Sequence, residues 1–463
     1  MTTYLFVNAA NASSKFSKKI YKNSGISICV MNAANAKTEI SHSKNLSLVP
    51  ASVLKIVTTA TALELLGPDY RFKTTLEYSG EIVDGVLNGN LYVIGGGDPG
   101  LGSRHFNENP EEFLNKWIEV LNDFGIKVIN GDIIADAGYF GDEPVSPFWL
   151  WEDIGNYYAA GIWGLGLFDN SFTLNLKSGK PGTRPEIVSL NPEIPGLLID
   201  NRLVSADNSK DSAYFYGGPM QSERVLHGTI PANRDWFSIK GDIPNPPFYF
   251  ACLFRQKLMA GGIEVKGKPM TAPNSDGQGN QYKTTLIHIE YSMPLKRIIR
   301  ITNEKSDNMF AEYLLRHIAK TAYQKPATAR DGLNVIKEFW KNNNVDVSSL
   351  QMFDGSGLSP MDKLSSDFLV RVLYHMAKKS KYGDIFEESL PLAGIEGSVS
   401  GFLKDTPLVG KVRLKSGTMQ GVTCYAGYYR KNGKLFIVSL MANHLYVPRN
   451  QVRKDFEDFL VLL

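Results

Sequence analysis

From Val49 to Leu66 the chain reads VPASVLKIVTTATALELL, with Leu54, Ile56, Val57, Ala60, Leu63, Leu65 and Leu66 spread around all sides of a helical wheel. No polar face remains, so the pattern predicts a helix enclosed on every side, led in by Pro50 and stopped by Gly67-Pro68. Just before it, Ser24 to Val30 and Lys37 to Ile40 flank the turn-prone Asn32-Ala33-Ala34-Asn35 and read as an antiparallel hairpin. At the far end Val409 to Leu414, Thr423 to Tyr429 and Leu435 to Met441 read as three strands, with Lys431-Asn432-Gly433 as one turn and a helix from about Val447. Strands from both chain ends are expected to share one sheet.

The pattern changes twice in between. Residues 72–100 alternate apolar and polar with turns at Asp84-Gly85 and Asn88-Gly89, Pro110 to Phe124 is an amphipathic helix, and Lys127 to Ile134 a strand. Residues 165–245 are rich in Gly, Pro, Asn and Ser with short strand-like runs, which reads as β-rich insertion. From Pro294 helices take over: Leu295 to Thr302, Met309 to Ala322, Gly332 to Asn342 and Ser366 to Lys378.

Composition narrows the partners. The chain has 463 residues, enough for two to four domains, and its formal net charge of +3 comes without long runs of one sign, which gives nucleic acid no footprint. Cys29, Cys252 and Cys424 are odd in number and widely spaced, so neither a disulfide framework nor a zinc site is indicated. The seven histidines show no His-Glu-x-x-His and no clustering, so no metal or other cofactor is expected. No apolar run reaches the length of a membrane span, and Met1 through Lys19 has no basic-then-apolar signal segment, so the chain is expected to start after a removed leader.

Candidate chemistry begins at Ser52 and Lys55, three residues apart and hence on one helical face. Burial lowers a lysine's pKa and makes the neutral amine available as a base, which a serine hydroxyl needs to become a nucleophile. Ser41-His42-Ser43-Lys44 has the same spacing but lies in a polar stretch with no apolar run behind it. Gly95-Gly96-Gly97-Asp98-Pro99-Gly100 lacks the Gly-Lys-Ser/Thr of a phosphate loop and reads as a tight turn, and Asp207-Asn208-Ser209-Lys210-Asp211 lacks the glycine and glutamate of a calcium loop. Ser306-Asp307-Asn308 lies between two helices, where an N-cap alone would explain it. Lys415-Ser416-Gly417-Thr418 lies at the end of a strand; taken alone it is a turn, and Lys177-Ser178-Gly179 repeats the tripeptide.

Taken together, Ser-x-x-Lys opening a buried helix, Ser-Asp-Asn on an interhelical loop and Lys-Ser/Thr-Gly on a strand, in that order, are the signature of penicillin-recognising serine enzymes. The chain resembles the low-molecular-mass class C penicillin-binding proteins, D-alanyl-D-alanine carboxypeptidases and endopeptidases, over nearly its whole length. Gly95 to Pro99, Asp354-Gly355-Ser356-Gly357-Leu358-Ser359 and Leu392-Ala393-Gly394-Ile395-Glu396-Gly397 look like the family too, whereas Ser416 stands where threonine is usual.

The resemblance implies an α+β, multi-domain fold: a serine β-lactamase/transpeptidase-like domain, its antiparallel sheet flanked by helices, from residues 1–75 and 281–463. Two β-rich inserted domains would follow, one from 76–164 with 246–280 and one from 165–245. Residue chemistry makes Ser52 the nucleophile and Lys55 the acceptor of its proton. The resemblance makes the target the D-Ala-D-Ala bond of a peptidoglycan stem peptide, with Ser52 and Thr418 backbone amides as oxyanion hole. It makes Ser306 the proton relay, Asn308 the holder of the peptide amide, Lys415, Ser416 and Thr418 the carboxylate site, and Asp136 a contact for the free amine. Acylation by β-lactams and a periplasmic or other extracytoplasmic location are implied as well. A β-lactamase or esterase on the same fold, and a non-catalytic cell-wall-binding protein, are the alternatives.

Overall fold

The computed structural model describes residues 16, 19–272, 283–324 and 326–463. The expected boundary at 280/281, and most of the stretch read for a leader, lie outside them. The chain divides into two compact units: one runs up to Tyr70 and resumes over Pro294–Ala322 and Ala329–Leu463, and the other comprises Arg71–Met293 and Tyr323–Thr328.

The first unit is built on a five-stranded sheet in the order Val412–Met419, Val422–Lys431, Lys434–Asn443, Gly25–Asn32, Lys37–His42. Every neighbouring pair is antiparallel, so both chain ends share one sheet, as the strand pattern predicts. Val422–Lys431 is buried through its first eight residues because it is covered on both faces. One face carries Ile28, Val30, Leu414 and Leu440, which pack with Val452, Phe456, Phe459 and Leu460 of the closing helix Arg449–Leu462. Ser366–Lys378 packs on Gly25–Asn32 and Lys434–Asn443.

The enclosed helix runs Lys55–Leu66, buried from Lys55 to Leu63, and ends at Gly67 with φ +84°. It is walled by Leu295–Glu304, Asn308–Ala322, Ala329–Asn342 and Ser366–Lys378. Its threonines remain satisfied there: Thr59 and Thr61 donate to the carbonyls of Lys55 and Val57, and Thr61 Oγ1 accepts from Trp340 Nε1 at 2.9 Å.

Three expectations need correction. Ser52 is not in the α-helix but in a 3₁₀ turn, Ala51–Leu54, that leads into it; Ala51 takes φ +47°. The strand expected at Val409 to Leu414 starts at Val412, after Gly410 turns at φ +69°, and continues to Met419, so Lys415 to Thr418 lies within the strand, as the combined motif requires. The strand expected over Lys127 to Ile134 is two, Val128–Ile129 and Ile133–Asp136, which join different sheets. Gly131 between them lies against the Gly89 carbonyl, 2.2 Å from where a Cβ would sit.

Among the described residues the second unit holds four sheets. Two draw their strands from Lys73–Asp136 and Glu264–Tyr291, the other two from Ser171–Asp242, and among the described residues no sheet takes strands from both groups. Trp117 on Glu112–Asp123 meets Phe250 and Phe254 on Pro246–Ala260 in the core. Lys73–Tyr78 pairs antiparallel with Thr285–Tyr291, and both strands belong to the second unit.

Candidate active site

In the first unit, three of the sequence elements meet. Lys55 is fully buried, and its Nζ donates to Ser52 Oγ at 3.0 Å, to Asn308 Oδ1 at 2.6 Å and to the Ser356 carbonyl at 2.7 Å. Lys415, also fully buried, donates to Ser306 Oγ at 2.8 Å and to the Ser416 carbonyl at 2.8 Å. Gly417 lies against the Ser52 turn, and a Cβ there would be 2.4 Å from the Pro50 carbonyl oxygen and 3.1 Å from Ser52 N. Only glycine lets the strand come so near, which brings Lys415 to Thr418 beside the nucleophile. Thr418 follows in the same strand opposite Thr423, and Ser416 Oγ donates to Ser398 Oγ at 2.8 Å.

Local chemistry explains the loop that carries Ser306. Asp307 Oδ1 accepts from Phe310 N at 2.9 Å and so caps the Asn308–Ala322 helix. Asp307 thus serves the helix end, while Ser306 and Asn308 on either side reach the two lysines. Ser306 adopts φ +61°, an uncommon conformation for a residue with a side chain.

Electrostatics follows from burial. Desolvation pushes Lys55 down to about 8, against the pull of Asp354, Asp307, Glu312 and Asp362 in the opposite direction. Desolvation holds Lys415 well below the ordinary lysine range, and the charge of Lys55 adds to the effect. Burial and the neighbouring Asp354 raise Glu312 to about 7. The site therefore holds a lysine that is deprotonated to a useful degree near neutral pH.

The rival copies have other employment. Lys44 pairs with Asp367 at 2.7 Å, and Lys177 lies in the strand Ser171–Ser178 of the second unit. Asp136 also belongs to the second unit, at the end of Ile133–Asp136; it is 6% exposed and its Oδ1 accepts from Gly138 N at 2.8 Å, the geometry of a turn aspartate.

Sequence reasoning gave no role to Ser356, Asp354 or Asn443. Asn443 Nδ2 donates to the Val49 carbonyl at 3.0 Å and its Oδ1 accepts from Val49 N at 2.7 Å, which clamps the segment entering the Ser52 turn. Asn443 ends a strand with no motif around it, so no local signal marks it. Asp354 to Ser359 did carry one, a dense run of Asp, Gly and Ser that reads as a tight turn. Among the described residues no cluster of three or more His, Cys, Asp or Glu side chains is arranged to hold a metal ion, and no helix is long and apolar enough to cross a membrane.

The profile of the D-Ala-D-Ala carboxypeptidase 3 (S13) family matches residues 11–463. The chain is 27% identical over 427 residues to the D-alanyl-D-alanine carboxypeptidase DacB of Haemophilus influenzae, covering 90% of this chain and 84% of that one. It is 26% identical over 419 residues to the D-alanyl-D-alanine carboxypeptidase of an Actinomadura species, covering 87% and 74%. Its fold matches the crystal structure of penicillin binding protein 4 from Haemophilus influenzae with a TM-score of 0.84 at 25% identity, over 97% of this chain and 99% of that one. The chain belongs to the D-Ala-D-Ala carboxypeptidase 3 (S13) family and is a serine-type D-Ala-D-Ala carboxypeptidase.

Proposed function

We propose that the enzyme cleaves the D-Ala-D-Ala bond of peptidoglycan stem peptides through an acyl-enzyme on Ser52, with Lys55 as the base. The observation that carries this is the 3.0 Å approach of the buried Lys55 Nζ to Ser52 Oγ. Ser52 Oγ attacks the scissile carbonyl and Lys55 takes its proton. The backbone N–H groups of Ser52 and Thr418 stabilise the oxyanion. Asn308 Oδ1 accepts from Lys55, and the side-chain amide would hold the substrate's peptide group. Ser306 accepts from Lys415, so it can pass its own hydrogen to the departing amine while taking one from Lys415 Nζ, the proton of Ser52 remaining on Lys55.

Lys415 with Ser416 and Thr418 holds the terminal carboxylate. Because burial and Lys55 depress the Lys415 ammonium, an arriving carboxylate would restore its charge, and binding would take up a proton. Water then releases the acyl-enzyme. Mass spectrometry of products from defined muropeptides tests the reading: loss of one D-Ala supports carboxypeptidase action, scission of a cross-linked dimer supports endopeptidase action, and absence of both in a folded enzyme overturns it.

The substrate class puts the enzyme outside the cytoplasm, in the periplasm or its equivalent, and makes β-lactams its covalent inhibitors. The second unit is read as two domains, one of residues 165–245, since among the described residues its sheets keep the strands of the two groups apart. Asp136 would read the free amine of the stem peptide; an Asp136→Ala variant with an unchanged ratio of rates on amine-bearing and amine-blocked peptides would end that assignment.

A further inference from the structure

A protonated Lys55 has three hydrogens, and its Nζ has three acceptors around it: Ser52 Oγ, Asn308 Oδ1 and the Ser356 carbonyl. The neutral amine has two hydrogens and a lone pair. Neither the Asn308 amide oxygen nor a main-chain carbonyl has a hydrogen to give, so both must receive one. The lone pair is then left facing Ser52 Oγ, the one partner able to donate. Loss of the proton aims the base without rearrangement.

Asn308 is part of a recognised motif, but the Ser356 carbonyl is held by a different device. Asp354 is fully buried; its Oδ1 accepts from Ser356 N at 3.0 Å and Gly357 N at 2.6 Å, and its Oδ2 from Ser359 N at 2.7 Å. The turn these bonds define lies against the residue before the nucleophile: Gly357 takes φ +77°, and a Cβ on it would be 2.0 Å from the Ala51 carbonyl oxygen. Thr58 Oγ1, one turn beyond Lys55, donates to the Gly355 carbonyl at 2.6 Å, and Glu312 Oε1 accepts from Gly355 N at 2.8 Å.

We propose that Asp354 is a positioning residue of the acylation step: by holding the Asp354 to Ser359 turn it keeps the Ser356 carbonyl on Lys55 and so keeps the amine lone pair on Ser52 Oγ. The proposal rests on the reading of Lys55 as the base. Position and charge have opposite signatures. Asp354 is the foremost of the negative charges that favour the Lys55 ammonium, so its removal by itself would enlarge the amine fraction at neutral pH. Loss of aim instead lowers the rate where Lys55 is already wholly deprotonated.

The test is stopped-flow acylation of the full chain by a chromogenic cephalosporin from about pH 6 to about pH 10, spanning the Lys55 titration. In Asp354→Asn the high-pH plateau is expected to fall about 10²-fold, the loss typical of a misaligned reacting group, with the midpoint moved to lower pH and the non-covalent encounter constant unchanged. Thr58→Val loosens the same turn without altering charge, and its plateau is expected to fall about 10-fold at an unmoved midpoint. A wild-type plateau in Asp354→Asn overturns the proposal, whether or not the midpoint moves. Should that variant fail to fold, a wild-type plateau in a folded Thr58→Val overturns it equally. Lys55→Ala separates the two readings: if it acylates at the native rate, the base has been misassigned; if it does not, while Asp354→Asn is unimpaired, the positioning role alone has failed.

Discussion

Lys415 Nζ donates to the hydroxyl of Ser306 at 2.8 Å, and Ser306 makes that contact from a left-handed backbone conformation of φ +61°. The hydroxyl is placed at the site by a conformation that a residue with a Cβ adopts at a cost of about 1 kcal/mol or more. Ser306→Gly is therefore expected to melt higher than Ser306→Ala, by about 1 kcal/mol in unfolding free energy, while both lose the relay and acylate about 10² to 10⁴-fold more slowly. Calorimetry with penicillin acylation kinetics on the two variants checks this; equal melting temperatures would show that the turn carries no strain.

Penicillin is expected to label the protein at Ser52 in a long-lived adduct, because the lactam carbonyl is attacked like the scissile amide and the tethered fragment obstructs water. Ser52→Ala should abolish labelling with the fold retained, since the residue lies in a short 3₁₀ turn that tolerates a small side chain. Intact-mass and peptide mass spectrometry read both outcomes, and a mass shift that survives in Ser52→Ala would point to another nucleophile.

The pH dependence of acylation follows from Lys55, whose pKa is lowered from 10.5 to about 8. The base is the deprotonated form, so the rate should rise with pH and level off above about 8. A lysine titrating there is about one-tenth amine at pH 7, against roughly one part in three thousand for an unshifted one. Lys55→Ala should cost on the order of 10² to 10⁴ in acylation. A rate that is flat from about pH 6 to about pH 9 would remove Lys55 from the role.

Gly417→Ala places a Cβ 2.4 Å from the Pro50 carbonyl oxygen and 2.9 Å from Val53 N, both backbone atoms. The strand must retreat from the Ser52 turn, which should cost about 1 to 3 kcal/mol of stability and at least about 10²-fold in acylation. Thermal melts and penicillin labelling of the same preparation measure the two losses together. Native labelling rates would mean that the strand can move without disturbing the site.

Local pattern decided a great deal of this protein. An apolar run with no polar face can only be an enclosed helix, and Ser52 and Lys55, three residues apart, are close enough along the chain to meet even though Ser52 lies in the 3₁₀ turn before that helix. The hairpin at Asn32 to Asn35, the Asn432-Gly433 turn and the helix at Ser366 to Lys378 follow from periodicity and turn chemistry, which act within a few residues. Tertiary structure decided which copies of a short motif carry chemistry: Lys44 is taken by Asp367 and Lys177 lies in a strand of the other unit, while Lys415 is brought to Ser306 by a sheet built from both chain ends. It also supplied what has no side-chain signature, the Ser356 carbonyl on Lys55 and the left-handed Ser306. Spacing along the chain encodes neighbours within a turn or a strand, whereas the direction of a backbone carbonyl and the pKa of a buried amine depend on atoms hundreds of residues away that only packing brings near.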